Sequence, residues 1–199
     1  MKRTTLNIGR LLRATSAAAL LLCTPLAQAA VQERPDAEDR VLLTQAIANA
    51  QSFQDRFDAE VWLTDMATRL KPWDEIPVHE RMQILRIVHQ EASRVGIPPE
   101  LVLSVIQVES NFDRFALSSA GARGLMQVMP FWLEELERPR DDLFDIRTNV
   151  RFGCIILKHY MDRERGNHAR ALARYNGSYG QTWYPKRVFD AMRKRWYLQ

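Results

Sequence analysis

Apolar positions recur every three or four residues along most of this chain, the spacing that gathers them on one face of a helix. Residues 37–52 and 57–70 read as two amphipathic helices, the second stopped by Lys71-Pro72. A connector carrying Pro72, Trp73 and Pro77 follows. From His79 to Val95 the stripe Ile84, Leu85, Ile87, Val88 and Ala92 predicts a further helix, capped by Gly96. Pro98-Pro99 then sets a proline in the first turn of the next helix, where its missing N–H costs nothing. That helix, Leu101 to Ser110, is apolar on nearly every side, the pattern of a helix that runs through a core. Small residues at 111–123 predict a loop, and Leu125 to Met129 a short helix ended by Pro130. Asn149 to Met161, Ala169 to Tyr175 and Lys186 to Trp196 supply the remaining helices. No long stretch alternates as a strand does, so the fold expected is all-α.

The N-terminus changes the picture of compartment. Lys2, Arg3, Arg10 and Arg13 precede or border an apolar run from Ala14 to Leu26, and Ala27-Gln28-Ala29 forms a small-x-small cleavage site. Residues 1–29 are therefore expected to be a cleaved export signal, and the product periplasmic. The apolar run is shorter than the roughly 20 residues that span a bilayer, so no transmembrane segment is expected after cleavage. Leu22 before Cys23 argues against a lipoprotein signal, which wants a small residue there.

Charge follows from this. The formal net charge is +4, from 28 Lys+Arg against 24 Asp+Glu. Residues 1–29 hold four of the bases and none of the acids, which leaves 24 of each beyond them. A nucleic-acid partner loses its main support. What remains is uneven: residues 30–80 are acid-rich and 147–199 are basic. The acidic segment is expected to brace the basic half, or to dock a cell-wall or secretion-machinery protein. Cys154 would be the one cysteine left, so no internal disulfide is expected. Its apolar neighbours Phe152, Ile155 and Ile156 mark it as a small buried residue. His79, His89, His159 and His168 lack zinc-ligand spacing. No phosphate-cradling glycine loop or serine elbow appears, and neither metal nor cofactor is implied.

Glu109 is the residue whose position asks for chemistry. It closes the helix predicted to be buried, where desolvation and the negative end of the helix dipole both favour the protonated carboxyl. A carboxyl that keeps its proton near neutrality is what a general acid needs. The plainer alternative is a helix ending at Val108, with Glu109 facing water. Asp113 lies four residues on and would share a face with Glu109 if the helix continued. Phe112 and the loop residues after it suggest that the chain has turned by then.

Three segments stand in a telling order: Glu109-Ser110, then Gly124-Leu125-Met126-Gln127 after a small-residue loop, then Tyr175-Asn176 far downstream. Together they resemble the lytic transglycosylases with a goose-lysozyme-like (SLT-type) catalytic domain, over roughly residues 84–185. The resemblance implies a lysozyme-like helical domain at 81–199, with residues 30–80 as an N-terminal helical extension. It also implies cleavage of the β-1,4 bond between N-acetylmuramic acid and N-acetylglucosamine in peptidoglycan strands, with a 1,6-anhydro product. Glu109 would act as single acid and base. The alternatives are a lysozyme-type hydrolase, with Asp113 as second carboxylate, and an inactive peptidoglycan-binding assembly module.

The same resemblance implies roles for the neighbours, each beside a plainer one. Ser110 would touch substrate or orient Glu109, or else cap the helix. Gly124 would permit close backbone approach or a tight turn. Met126 would wall the sugar site, or pack in the core. Gln127 would offer its amide to acetamido groups. Tyr175 would hydrogen-bond Glu109 or an acetamido group, or simply be a packed aromatic. Asn176 would hold the loop before Gly177. Phe131, Trp132, Tyr179, Trp183 and Tyr184 are candidates for stacking on sugars or for core packing. Arg174 departs from the family, which more often has a small residue there.

Overall fold

The structure is a computed structural model that describes residues 56–197 and, upstream of them, Ala37. The expected export signal and, Ala37 apart, the helix expected at 37–52 lie outside the described residues. Seven α-helices follow: α1 Arg56–Arg69, α2 Val78–Val95, α3 Pro99–Glu109, α4 Phe131–Glu135, α5 Ile146–Arg163, α6 His168–Asn176 and α7 Trp183–Ala191. A π-helical turn, Met192–Trp196, continues α7. No strand occurs among the described residues, only two isolated bridges, so the all-α expectation holds.

α3 is the axis of the fold. Leu101 through Ile106 are all buried, Ser104 included, whose hydroxyl returns to the Glu100 carbonyl at 2.6 Å. Packing around it runs α1 on α2, α2 on α5, α5 on α6 and α6 on α7, while α7 and the π-turn lie against α3 itself. A helix enclosed on all sides needs an apolar side chain at nearly every position, and that is the pattern in the chain. The ends are set locally. Asp145 accepts the Thr148 N–H at the start of α5, and Asn167 accepts that of Arg170 at the start of α6. No described helix is long and apolar enough to cross a membrane.

One predicted element is different. Where a helix is expected at 125–129, residues 124–127 form a tight turn. Gly124 and Gln127 both have left-handed backbone, φ 72° and 50°, which breaks the helical run, and antiparallel bridges Leu117–Arg123 and Arg123–Val128 close the loop. The short helix comes later, at Phe131–Glu135, after Pro130. Cys154 is buried and unpaired, as expected.

Candidate active site

The site grows out of the C-terminal end of α3. Glu109 is the last residue of that helix, and Ser110 ends it with its N–H on the Ile106 carbonyl at 3.0 Å. Asn111 and Phe112 then take left-handed backbone, φ 50° and 67°, so the chain turns sharply. Asp113 is thereby carried into an exposed loop, where its carboxylate accepts the Phe115 N–H at 2.8 Å.

Glu109 keeps a partly open face, yet its carboxyl is embedded deeply enough that desolvation dominates its titration. Burial raises its pKa from 4.5 to about 7, against three smaller influences that favour the ion. These are the hydroxyl of Tyr184, the amide of Asn176 and the charge of Arg187. Tyr184 donates to Oε1 at 2.6 Å from α7, which packs across α3. Burial holds the Tyr184 phenol well above its usual range, so it remains a donor throughout the neutral region. Opposed influences leave Glu109 near the midpoint of its titration at neutrality. A carboxyl so poised can give up a proton and take one back.

The loop carrying Gly124, Met126 and Gln127 is fixed against the end of α3 by side chains that bond its backbone. Ser110 Oγ donates to the Leu125 carbonyl at 2.8 Å, tying the end of α3 to the loop. Tyr175 is fully buried and donates to the Met126 carbonyl at 2.8 Å. Its hydroxyl proton is thus directed at the loop backbone. The tyrosine on the carboxyl is Tyr184, expected only as a stacking or packing ring. Met126 is core rather than wall: its side chain is wholly buried against Gly153, where an added Cβ would lie 2.3 Å from Sδ. Gln127 spends its amide N–H groups on the carbonyls of Ala116 and Gly124, at 3.1 and 3.0 Å. Gly124 sits where a side chain has no room. Its φ is positive, and a Cβ there would fall 2.4 Å from both Asn149 Nδ2 and the Leu143 carbonyl. Asn176 does more than hold its loop, since it reaches the Glu109 carboxyl.

Two contributors escaped the sequence reading. Asn149 is buried on α5, accepts the Met126 N–H at 2.7 Å, and donates to Arg123 and Leu143 carbonyls at 2.8 and 2.7 Å. A polar residue on an otherwise apolar helix face was the available signal. Arg187 carried no local signal, being one base in a basic segment. Trp132 and Tyr184 are buried, whereas Tyr179 and Trp183 are each 44 % exposed. Arg174 lies over the Tyr179 ring, 3.7 Å from its centroid, and pairs with Glu164. A cavity of about 400 Å³ between α6 and α7, lined by Ala173, Pro185 and Phe189, does not include Glu109. No cluster of metal-ligating side chains occurs among the described residues.

Residues 86–195 match the Transglycosylase SLT domain. A membrane-bound lytic murein transglycosylase F from Desulfosudis oleivorans is 35% identical over 100 residues, covering 47% of this chain and 22% of that protein. A membrane-bound lytic murein transglycosylase C from Yersinia enterocolitica is 30% identical over 123 residues, covering 54% and 34%. Among solved structures, an inactive mutant of the lytic transglycosylase Slt from Pseudomonas aeruginosa is similar at 28% identity and a TM-score of 0.43. That match covers 53% of this chain and 19% of the other. The chain thus spans about a third or less of the length of these curated relatives. With the domain match covering more than half of its residues, the chain belongs to the transglycosylase SLT-domain family.

Proposed function

We propose that this protein is a peptidoglycan lytic transglycosylase with Glu109 as its single acid and base. The observation that carries the reading is the state of Glu109, a carboxyl raised to about 7 at the end of a buried helix and held by two uncharged donors. Protonated Glu109 gives its proton to the glycosidic oxygen between N-acetylmuramic acid and N-acetylglucosamine as the bond to C1 breaks. The acetamido oxygen of the same muramyl residue shields C1 meanwhile. Ionised Glu109, stabilised by Tyr184 and Asn176, then takes the proton of the muramyl C6 hydroxyl. O6 closes on C1, leaving a 1,6-anhydro ring and a regenerated acid.

No water is consumed, so no second carboxylate has to hold one. Glycosidases that deliver water or form a covalent intermediate use a pair. Asp113 is engaged with its own loop, which supports the single-carboxyl scheme over hydrolysis. The names of the relatives support murein as substrate, and the export signal read from residues 1–29 supports action in the periplasm. Ser110, Gly124, Met126, Gln127 and Tyr175 serve in this reading by shaping the floor under Glu109. Asn176 touches the acid itself.

Incubating the chain with purified sacculi and weighing the soluble fragments tests the proposal. Products lighter by one water than hydrolytic muropeptides are expected. Hydrated products would turn the reading to a muramidase, and intact sacculi to a binding module.

A further inference from the structure

The cavity of about 400 Å³ between α6 and α7 is apolar at its base and basic at its rim. Ala173, Pro185 and Phe189 form the base, and Arg170, Lys186 and Arg193 stand around it, all three exposed. The rim is not neutralised from within. Arg170 and Arg174 share Glu164, and Lys186 and Arg193 share Asp190, so four cations meet two carboxylates and a surplus of two positive charges remains. An apolar hollow ringed by one sign of charge selects a ligand that joins apolar side chains to acids. Glu109 is not in the lining, so this surface is distinct from the candidate acid.

The chain itself supplies such a ligand. Glu33, Asp36, Glu38 and Asp39 stand against Arg34 and Arg40, a net of −2 over residues 33–40. Soon after them Leu43, Ile47 and Ala50 recur at the spacing that puts side chains on one helical face. Apart from Ala37, these residues lie outside the described ones. Residues 36–47 precede Arg56, where α1 begins, by nine to twenty positions, an extended reach of about 30–70 Å. A compact domain of this size has a radius of gyration of about 14 Å, so the tether reaches any face. Tethering also sets the local concentration of the segment at about millimolar, against which a free partner of equal affinity competes poorly. We propose that residues 36–50 dock on the α6–α7 groove of their own chain. Leu43 and Ile47 enter the hollow, and the acids before them meet Arg170, Lys186 and Arg193. Apolar contact carries the affinity, since exposed ion pairs contribute little, and the charges fix the register. So seated, the segment straddles the two helices that bring Asn176 and Tyr184 to Glu109.

Paramagnetic relaxation tests this on the chain from Ala30 onward, with a nitroxide on Gln45→Cys. Cys154 is buried, which leaves the new thiol as the one that reacts. The amide signals of Ala173 and Phe189 are expected to be lost, and restored on reducing the label, while those along α2 persist. Ile47→Asp, and independently the pair Glu38→Lys and Asp39→Lys, are expected to bring the lost signals back. Undisturbed α2 shifts report that the fold is kept in each. Survival of the Ala173 and Phe189 signals beside the label overturns the proposal, as does a loss that persists in either variant. Loss transferred from spin-labelled chains to isotopically labelled, nitroxide-free ones in a mixture assigns the groove to a second copy and overturns docking within one chain.

Discussion

Glu91 and Glu109 are both drawn out of water, the first wholly and the second in large part, and they are treated in opposite ways. Glu91, on α2, has no exposed side-chain surface and faces guanidinium groups: Arg94 at 2.8 Å, Arg151 at 3.4 Å and Arg147 at 3.8 Å. Glu109 receives a phenol and an amide instead, with the charge of Arg187 as the smallest of the influences on it. Set among guanidiniums, the Glu91 side chain serves packing between α2 and α5. Given only uncharged donors, Glu109 stays poised between its two states. Burial makes a glutamate costly, and the choice of partner decides whether that cost becomes structure or reactivity.

Exchanging the acid breaks the comparison most severely. Glu109→Gln keeps shape and most contacts but cannot supply a proton, so turnover of sacculi is expected to fall by about a thousandfold. Its melting temperature should not drop. Glu91→Ala should do the reverse. Removing the carboxylate takes a shared partner from Arg94 and Arg151, whose side chains are 10 % and 20 % exposed, costing about 3–5 kcal/mol in urea unfolding, while the pH profile of turnover stays in place.

A third expectation concerns stability against pH. The folded pKa of Glu109 is about 7 and its ordinary value 4.5, so between these limits the folded chain holds a proton that the unfolded chain has lost. Stability is therefore full below 4.5 and declines as pH rises towards 7, by about 3 kcal/mol from this group. Denaturant titrations at several pH values should show that decline, and Glu109→Gln should flatten it. An unchanged slope in the variant would remove the raised pKa from the account.

Smaller effects sharpen the contrast. Tyr184→Phe deletes a donor that favours the ion, so the alkaline limb of the pH–rate profile should move up by about one unit. The rate at neutrality should fall about tenfold, because the conjugate base is less well held. Arg187→Ala should move the same limb in the same direction by only a few tenths of a unit, since its charge acts through solvent. A downward shift in either variant would contradict the roles assigned to these groups.

Much of this was legible in the chain. The all-round apolar character of Leu101–Ile106 announced a central helix, and the carboxyl at its end marked the candidate site. Caps and periodicity located α2, α5 and α6 to within a few residues, with α7 beginning three residues earlier than Lys186. The turn at 124–128 was misjudged because Leu-Met-Gln has good helical propensity, whereas the outcome was set by Asn149 reaching across from α5. The place of Tyr184 on the Glu109 carboxyl escaped the sequence for a similar reason. Which hydroxyl meets Glu109 depends on how α6 and α7 cross α3, a relation between segments 66 and 75 residues away that no local pattern encodes.

Trp196 has a bearing on how the site is held. Its ring stacks on Trp73, its neighbour Phe112 lies 5.5 Å away, and its Nε1 donates to Gln107 two residues before Glu109. The segment that carries Glu109 is therefore completed by a residue 87 positions further along the chain. A single indole from the far end of the described residues underpins both the last turn of α3 and the connector before α2.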